Sequence, residues 1–155
     1  MIGKHEWDRF CDYARATGIT PAAAVMAVYA ATLARWSRNK DFCINLSILN
    51  RLNLHPEIGS IVGDFTNSSL LEVNSDRMQD FASFALSLNR RLFDDLDHRS
   101  FTGVNVLREL QHRGNVTTLM PYVFTGAIGL IDIEKSALHG KMNNRGISQT
   151  AQVFM

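Results

Sequence analysis

Residues 20–49 read TPAAAVMAVYAATLARWSRNKDFCINLSIL, and this stretch decides the fold class. Thr20 can accept hydrogen bonds from the free N–H groups of a first helical turn. Pro21 suits the first helical position because it has no N–H to leave unsatisfied. The helix is expected to run to about Trp36, with Val25, Val28, Tyr29, Thr32, Leu33 and Trp36 as its stripe. Ala and Met fill the remaining faces, and a helix that is apolar all round is buried on more than one side. Phe42 to Leu49 then alternates large apolar with small or polar residues, the period of a half-buried strand. A buried helix feeding a two-sided strand points to a layered α/β or α+β architecture, with helices packed on a mixed sheet.

The same reading extends in both directions. Upstream, residues 5–17 place Trp7, Phe10, Cys11 and Ala14 on one helical face, and Gly18 supplies a stop. Downstream, Asn50 to Gly59 is loop-like, punctuated by Pro56 and Gly59. Phe65 to Val73 (FTNSSLLEV) reads as a second strand entered through Gly63-Asp64. Asp76 with Gln79 matches a capping box ahead of a helix whose stripe is Phe81, Phe84, Ala85, Leu88, Leu92 and Leu96. A shorter helix is expected from about Thr102 to His112, closed by Gly114, with Val106, Leu107 and Leu110 inward. Tyr122 to Ala127 reads as a third strand and Gly146 to Phe154 as a fourth. The order α-α-β-β-α-α-β-β has no internal repeat and no Pro/Gly/Ser linker. The last strand pattern breaks off at Met155 without a turn or polar tail, which suggests boundaries drawn inside a larger fold.

Bulk properties narrow the function classes. The 155 residues suffice for one ordinary domain, and 46% apolar with 20% charged residues is an average globular composition. A net charge of +1, with Arg38/Lys40 and Arg90-Arg91 scattered, leaves no electrostatic footprint for nucleic acid or an anionic membrane. Cys11 and Cys43 form no CxxC, and with no signal peptide they point to a reducing, cytoplasmic setting. The apolar run from Pro21 to Ala34 is too short for a membrane span.

Chemistry-bearing patterns are sparse. His5, His55, His98, His112 and His139 show no HxxxH or HExxH spacing and none lies near a cysteine, so no metal site is expected. GxGxxG, P-loop and GxSxG motifs are absent. The acidic run Asp94-Asp95-Leu96-Asp97-His98-Arg99 reads as the polar end of a helix rather than an acid/base site. Asp64, beside Gly63 at a strand entrance, could cap a loop, pair with an arginine or act in a cleft. Thr125, at the end of an apolar strand, is by itself an ordinary strand threonine.

Taken in order, however, several segments resemble the later motifs of heterocyclization domains of nonribosomal peptide synthetases. Thr20-Pro21-Ala22-Ala23-Ala24 running to Leu33-Ala34-Arg35-Trp36 is similar to that family's TP helix ending in LxxW. Val62-Gly63-Asp64-Phe65-Thr66 with Ser69-Leu70-Leu71 resembles GDFTxLxLL. Met120-Pro121-Tyr122-Val123-Phe124-Thr125-Gly126 resembles PVVFTS, and Ser148-Gln149-Thr150-Ala151-Gln152-Val153 resembles SQTPQV. Asn45-Leu46-Ser47 to Asn50-Arg51, Leu54-His55-Pro56, Asp97-His98-Arg99 and Gly103-Val104 to Arg108-Glu109-Leu110 also match family patterns.

The resemblance implies the C-terminal half of a chloramphenicol-acetyltransferase-like fold, the chain being one subdomain over residues 1–155. It implies joining of an acyl or peptidyl thioester to a Cys, Ser or Thr thioester, then cyclodehydration to a thiazoline or oxazoline. Ring closure needs proton transfers at a tetrahedral centre, which a positioned hydroxyl and carboxylate would assist. Thr125 is the implied hydroxyl, with Asn50, Asp64, Gln149 and Thr150 lining or shaping the site. The partner carboxylate of the family would fall just after Met155, and the DxxxxD motif belongs to the N-terminal half, so the chain alone is expected to be inactive. No cofactor is expected on the chain itself, since phosphopantetheine rides on carrier domains. The implied partners are peptidyl or acyl carrier domains, the N-terminal half of the same domain and an adjacent adenylation domain, with no nucleic acid and no membrane. An ordinary amide-forming condensation domain and a noncatalytic carrier-docking subdomain are the alternatives. Ala151 stands for the usual Pro and Gly126 for the usual Ser.

Overall fold

In a computed structural model the chain is described over residues 2–76, 80–114 and 120–126. Helix α1 spans Lys4–Ala16 and turns at Gly18, whose φ of 74° is a left-handed conformation that favours glycine. Helix α2 spans Pro21–Trp36, and its Thr20 cap accepts from the Ala23 N–H at 3.2 Å. Strand β1 (Asp41–Leu49) is the centre of a mixed three-stranded sheet ordered β2-β1-β3 among the described residues. Strand β2 (Thr66–Asn74) pairs antiparallel with β1, from Asp41 opposite Asn74 to Leu49 opposite Thr66. Helices α3 (Phe81–Asp97) and α4 (Gly103–His112) lead to β3 (Tyr122–Thr125), which lies parallel to β1, from Ile44 beside Tyr122 to Ser47 beside Thr125.

The period-2 alternation of β1 and β2 sorts the sheet into two unlike faces. Ile44 and Leu46 of β1 and Leu71 and Val73 of β2 enter a core closed by Ala14, Ile19, the small residues of α2, and Phe84, Ala85 and Leu88 of α3. Cys43, Asn45 and Ser47 take the opposite face, where the start of α4 approaches β2. Gly103 permits that approach. A Cβ there would meet the Ser68 hydroxyl at 2.9 Å and the Ser68 carbonyl at 3.2 Å, so any side chain would push α4 away from β2.

Helix α2 corrects one expectation. Its buried residues are Ala23, Ala24, Met26, Ala27, Ala30 and Ala34, whereas Val28, Thr32 and Trp36 of the expected stripe are exposed. Small side chains let α2 sit close to α3 and the sheet, and that intimacy outweighs the burial of larger groups. Helix α3 corrects a second. Its cap is Asp80, accepting from Ser83 N–H at 2.9 Å, rather than Asp76. Phe81 of the expected stripe is exposed, and Leu92 and Leu96 are half-buried. In α4 only Gly103 is buried, and Val106, Leu107 and Leu110 are half-buried. Buried Asn89 of α3 accepts from the Thr20 N–H at 3.2 Å and the Thr20 hydroxyl at 3.3 Å, locking the start of α2 to α3. The strand expected at 146–154 lies outside the described residues.

Candidate functional site

Two aromatic contacts decide where Thr125 points. Tyr122 packs edge-on against Phe42 at 5.3 Å between ring centroids, and Phe124 meets Tyr29 of α2 at 5.8 Å. With both rings on the helical side of the sheet, Val123 and Thr125 project to the other face. Gly126 fits the same arrangement, since a Cβ there would come within 3.0 Å of the Phe124 ring.

On that face lies a cleft of about 390 Å³ lined by Asn45, Ser47, Thr66, Asn67, Ser68, Val104, Val123 and Thr125. Six of these eight carry a hydroxyl or a carboxamide, and none is ionisable. A hydroxyl with no neighbouring base is a poor nucleophile. The lining instead supplies neutral donors and acceptors, the kind of surface that orients a polar substrate group and stabilises charge as it develops. Register adds order to the lining. Ser68 of β2 pairs with Ser47 of β1, and Ser47 pairs with Thr125 of β3, so a row of three hydroxyl-bearing residues crosses the sheet.

Of the other expected site residues, Asn50 and Asp64 do not join Thr125 in this lining. Asn50 leaves β1 and ties the following loop in place. Its backbone N–H donates to the Phe65 carbonyl at 2.8 Å and its side-chain Nδ2 to the Arg99 carbonyl at 3.1 Å. Asp64 is exposed and accepts from the Thr66 N–H at 2.8 Å, shaping the entrance of β2. Hydrogen bonding from the Thr66 side chain, then from its backbone, holds the Asp64 carboxyl below the usual carboxylate range. Asp64 therefore touches the cleft only through Thr66. Arg51 completes the loop, donating to the carbonyls of Ile58, Gly59 and Ile61 at 2.6, 3.3 and 3.1 Å and lying 4.0 Å over the Phe65 ring. Gln149 and Thr150 lie outside the described residues. Asn45, Ser47 and Ser68 are cleft residues that the sequence did not single out for the site, although Asn45 and Ser47 lie in a segment matching the family pattern. Their signal was the polar half of the alternation in β1 and β2.

A larger cleft of about 560 Å³ runs between β2 and α3, lined among others by Glu72, Asn74, Arg91, Asp94 and Asp95. Arg91 bridges to Glu72 at 2.6 Å. The acidic run is a helix end, as its pattern implied: α3 stops at Asp97, and the His98 ring nitrogen Nδ1 meets the Asp94 carbonyl at 2.8 Å. Asp95 has one buried oxygen without a partner, and burial pushes its pKa up against the pull of Arg91. A carboxyl whose folded pKa is raised holds its proton more tightly in the native state, so its contribution to stability declines as pH rises through the carboxylate range. Asp95→Asn is therefore expected to raise the melting temperature at pH 7 and leave it unchanged near pH 3, checked by thermal melts at both values. Among the described residues no three His, Cys, Asp or Glu side chains group as metal ligands, and no single helix is long and apolar enough to cross a membrane.

A sheet with one helical face and, on the other, a neutral, hydroxyl-rich cleft carrying Thr125 fits the acyl-transfer class that the motifs imply. The family model for the condensation domain matches residues 2–128, and the chain belongs to that family. The chain is 42% identical over 142 residues to pyochelin synthetase PchF of Pseudomonas aeruginosa, covering 89% of this chain and 8% of that protein. It is 41% identical over 126 residues to phenyloxazoline synthase MbtB of Mycobacterium sp. (strain MCS), covering 81% and 11%. Among solved structures, the EpoB cyclization-docking bidomain of a nonribosomal peptide synthetase from Sorangium cellulosum superposes with a TM-score of 0.70 at 30% identity, covering 83% of this chain and 26% of that one. The chain thus spans about a tenth of the length of these two relatives.

Proposed function

We propose that this chain is the C-terminal subdomain of a heterocyclization domain. In that reading the complete domain condenses a carrier-bound acyl or peptidyl thioester with a Cys, Ser or Thr thioester and closes a thiazoline or oxazoline ring. The observation that carries it is Thr125, held in a neutral polar cleft on one face of the sheet by the packing of Tyr122 and Phe124 on the other. In the ring-forming step the side-chain thiol or hydroxyl of the new residue adds to the amide carbonyl carbon. The resulting hydroxyl leaves as water after gaining a proton, and the nitrogen loses its proton as the C=N bond forms. Thr125 would hydrogen-bond at that tetrahedral centre. Among the described residues no titratable group lines its cleft, so the proton donor and acceptor would come from outside that lining.

The rest of the proposal follows from the same reading. Phosphopantetheine arms on carrier domains deliver both thioesters, the N-terminal half of the domain supplies the facing wall, an adenylation domain neighbours it, and the assembly works in the cytoplasm. Exposed Trp36, Leu54 and Val62 are apolar surface available for such contacts. The test is to incubate the complete domain with carrier-loaded donor and Cys, Ser or Thr, and to weigh the product by mass spectrometry. The expected product is lighter than the linear amide by one water. A linear amide alone would assign ordinary condensation, and no product at all with carrier binding retained would assign a docking role.

A further inference from the structure

We propose that Ser47 is a positioning residue for Thr125 in ring closure, an inference that rests on the function proposed above. Thr125 is the last residue of a four-residue strand and is exposed, so little in its own element restrains its side chain. Ser47 sits directly beside it on β1, the central strand, paired on its other side with Ser68. It is half-buried and lines the same cleft. Neighbouring strands run about 4.8 Å apart, and cross-strand Ser and Thr hydroxyls at that spacing can hydrogen-bond to each other. The central strand of the sheet therefore places a hydroxyl-bearing residue directly beside Thr125. Ser68, set against the α4 start at Gly103, braces the far end of the row.

A hydroxyl that fixes the rotamer of Thr125 accelerates only the step in which Thr125 takes part. The test compares Ser47→Ala, Ser47→Thr and Thr125→Ala in the complete domain, following linear amide and ring separately by mass spectrometry, with thermal melts to establish folding. Ser47→Ala is expected to slow ring formation about tenfold while amide formation continues, so that linear amide accumulates. Ser47→Thr, which keeps the hydroxyl, restores the ring. Wild-type ring formation in Ser47→Ala, beside a slow Thr125→Ala, overturns the positioning role. Equal losses of amide and ring overturn it too, by assigning Ser47 to the fold. Unchanged ring formation in Thr125→Ala removes the underlying reading, and the role of Ser47 falls with it.

Discussion

Replacing Thr125 by alanine in the complete domain is expected to lower the rate of cyclodehydration about a hundredfold and to leave amide formation within a few-fold of wild type. The size follows from removing one preorganised hydrogen-bonding group from a developing charge, which costs about 10²-fold or more where the group acts in the transition state. The split follows from geometry. Among the described residues Thr125 is one of six polar side chains, none ionisable, around the cleft, so its loss removes a specific contact while the lining remains polar and the backbone is untouched. Its side chain is exposed and bonds no core residue, so the fold should melt unchanged. The measurement is a single-turnover time course in which linear and cyclised products are weighed separately. Parallel loss of both would make Thr125 a binding residue, and full ring formation would remove it from the chemistry.

That the motif around Thr125 led to the cleft, while Asn50 and Asp64 led to loop ties, has a physical cause. A strand motif carries its own geometry: alternation fixes which side chains share a face, so Phe124 inward implies Thr125 outward. A residue at a loop entrance has no such period. Asn50 and Asp64 look alike as polar residues near turns, and only the folded chain brings them to Arg99 and Thr66. The same contrast runs through the fold. The three described strands were legible as short apolar-rich runs, and the starts of α2 and α4 because Thr20 and Thr102 each accept from an N–H three residues on. The start of α3 was not, because Asp76 and Asp80 are both acceptable caps, and the choice falls to where Phe84 must meet the core. Asn45, Ser47 and Ser68 were visible as the polar half of an alternation, but a half-polar strand is also what a solvated sheet surface looks like. Only the pairing of three strands turns them into one lining.

The buried face of α2 provides the sharpest test of the fold. Ala27→Leu is expected to destabilise this chain by about 3 kcal/mol, and Trp36→Ala by less than about 0.5 kcal/mol, as measured by urea denaturation. The ordering opposes intuition from residue size. Ala27 is 0% exposed, in the core cluster that α2 shares with β1, β2 and α3. A leucine adds three carbons where no space exists, forcing either a strained rotamer or a retreat of α2 from the sheet. Retreat would loosen the Thr20–Asn89 lock and the Tyr29–Phe124 contact together, because both lie on the same helix. Trp36, by contrast, is 87% exposed and gives up little on truncation. If the helix buried its large residues instead, the order would invert, with the tryptophan costing about 3–5 kcal/mol and the leucine almost nothing. The effect also reaches the cleft, since Phe124 against Tyr29 is what turns Thr125 outward. Partial repacking in Ala27→Leu should therefore impair ring closure in the complete domain even at temperatures where the chain stays folded.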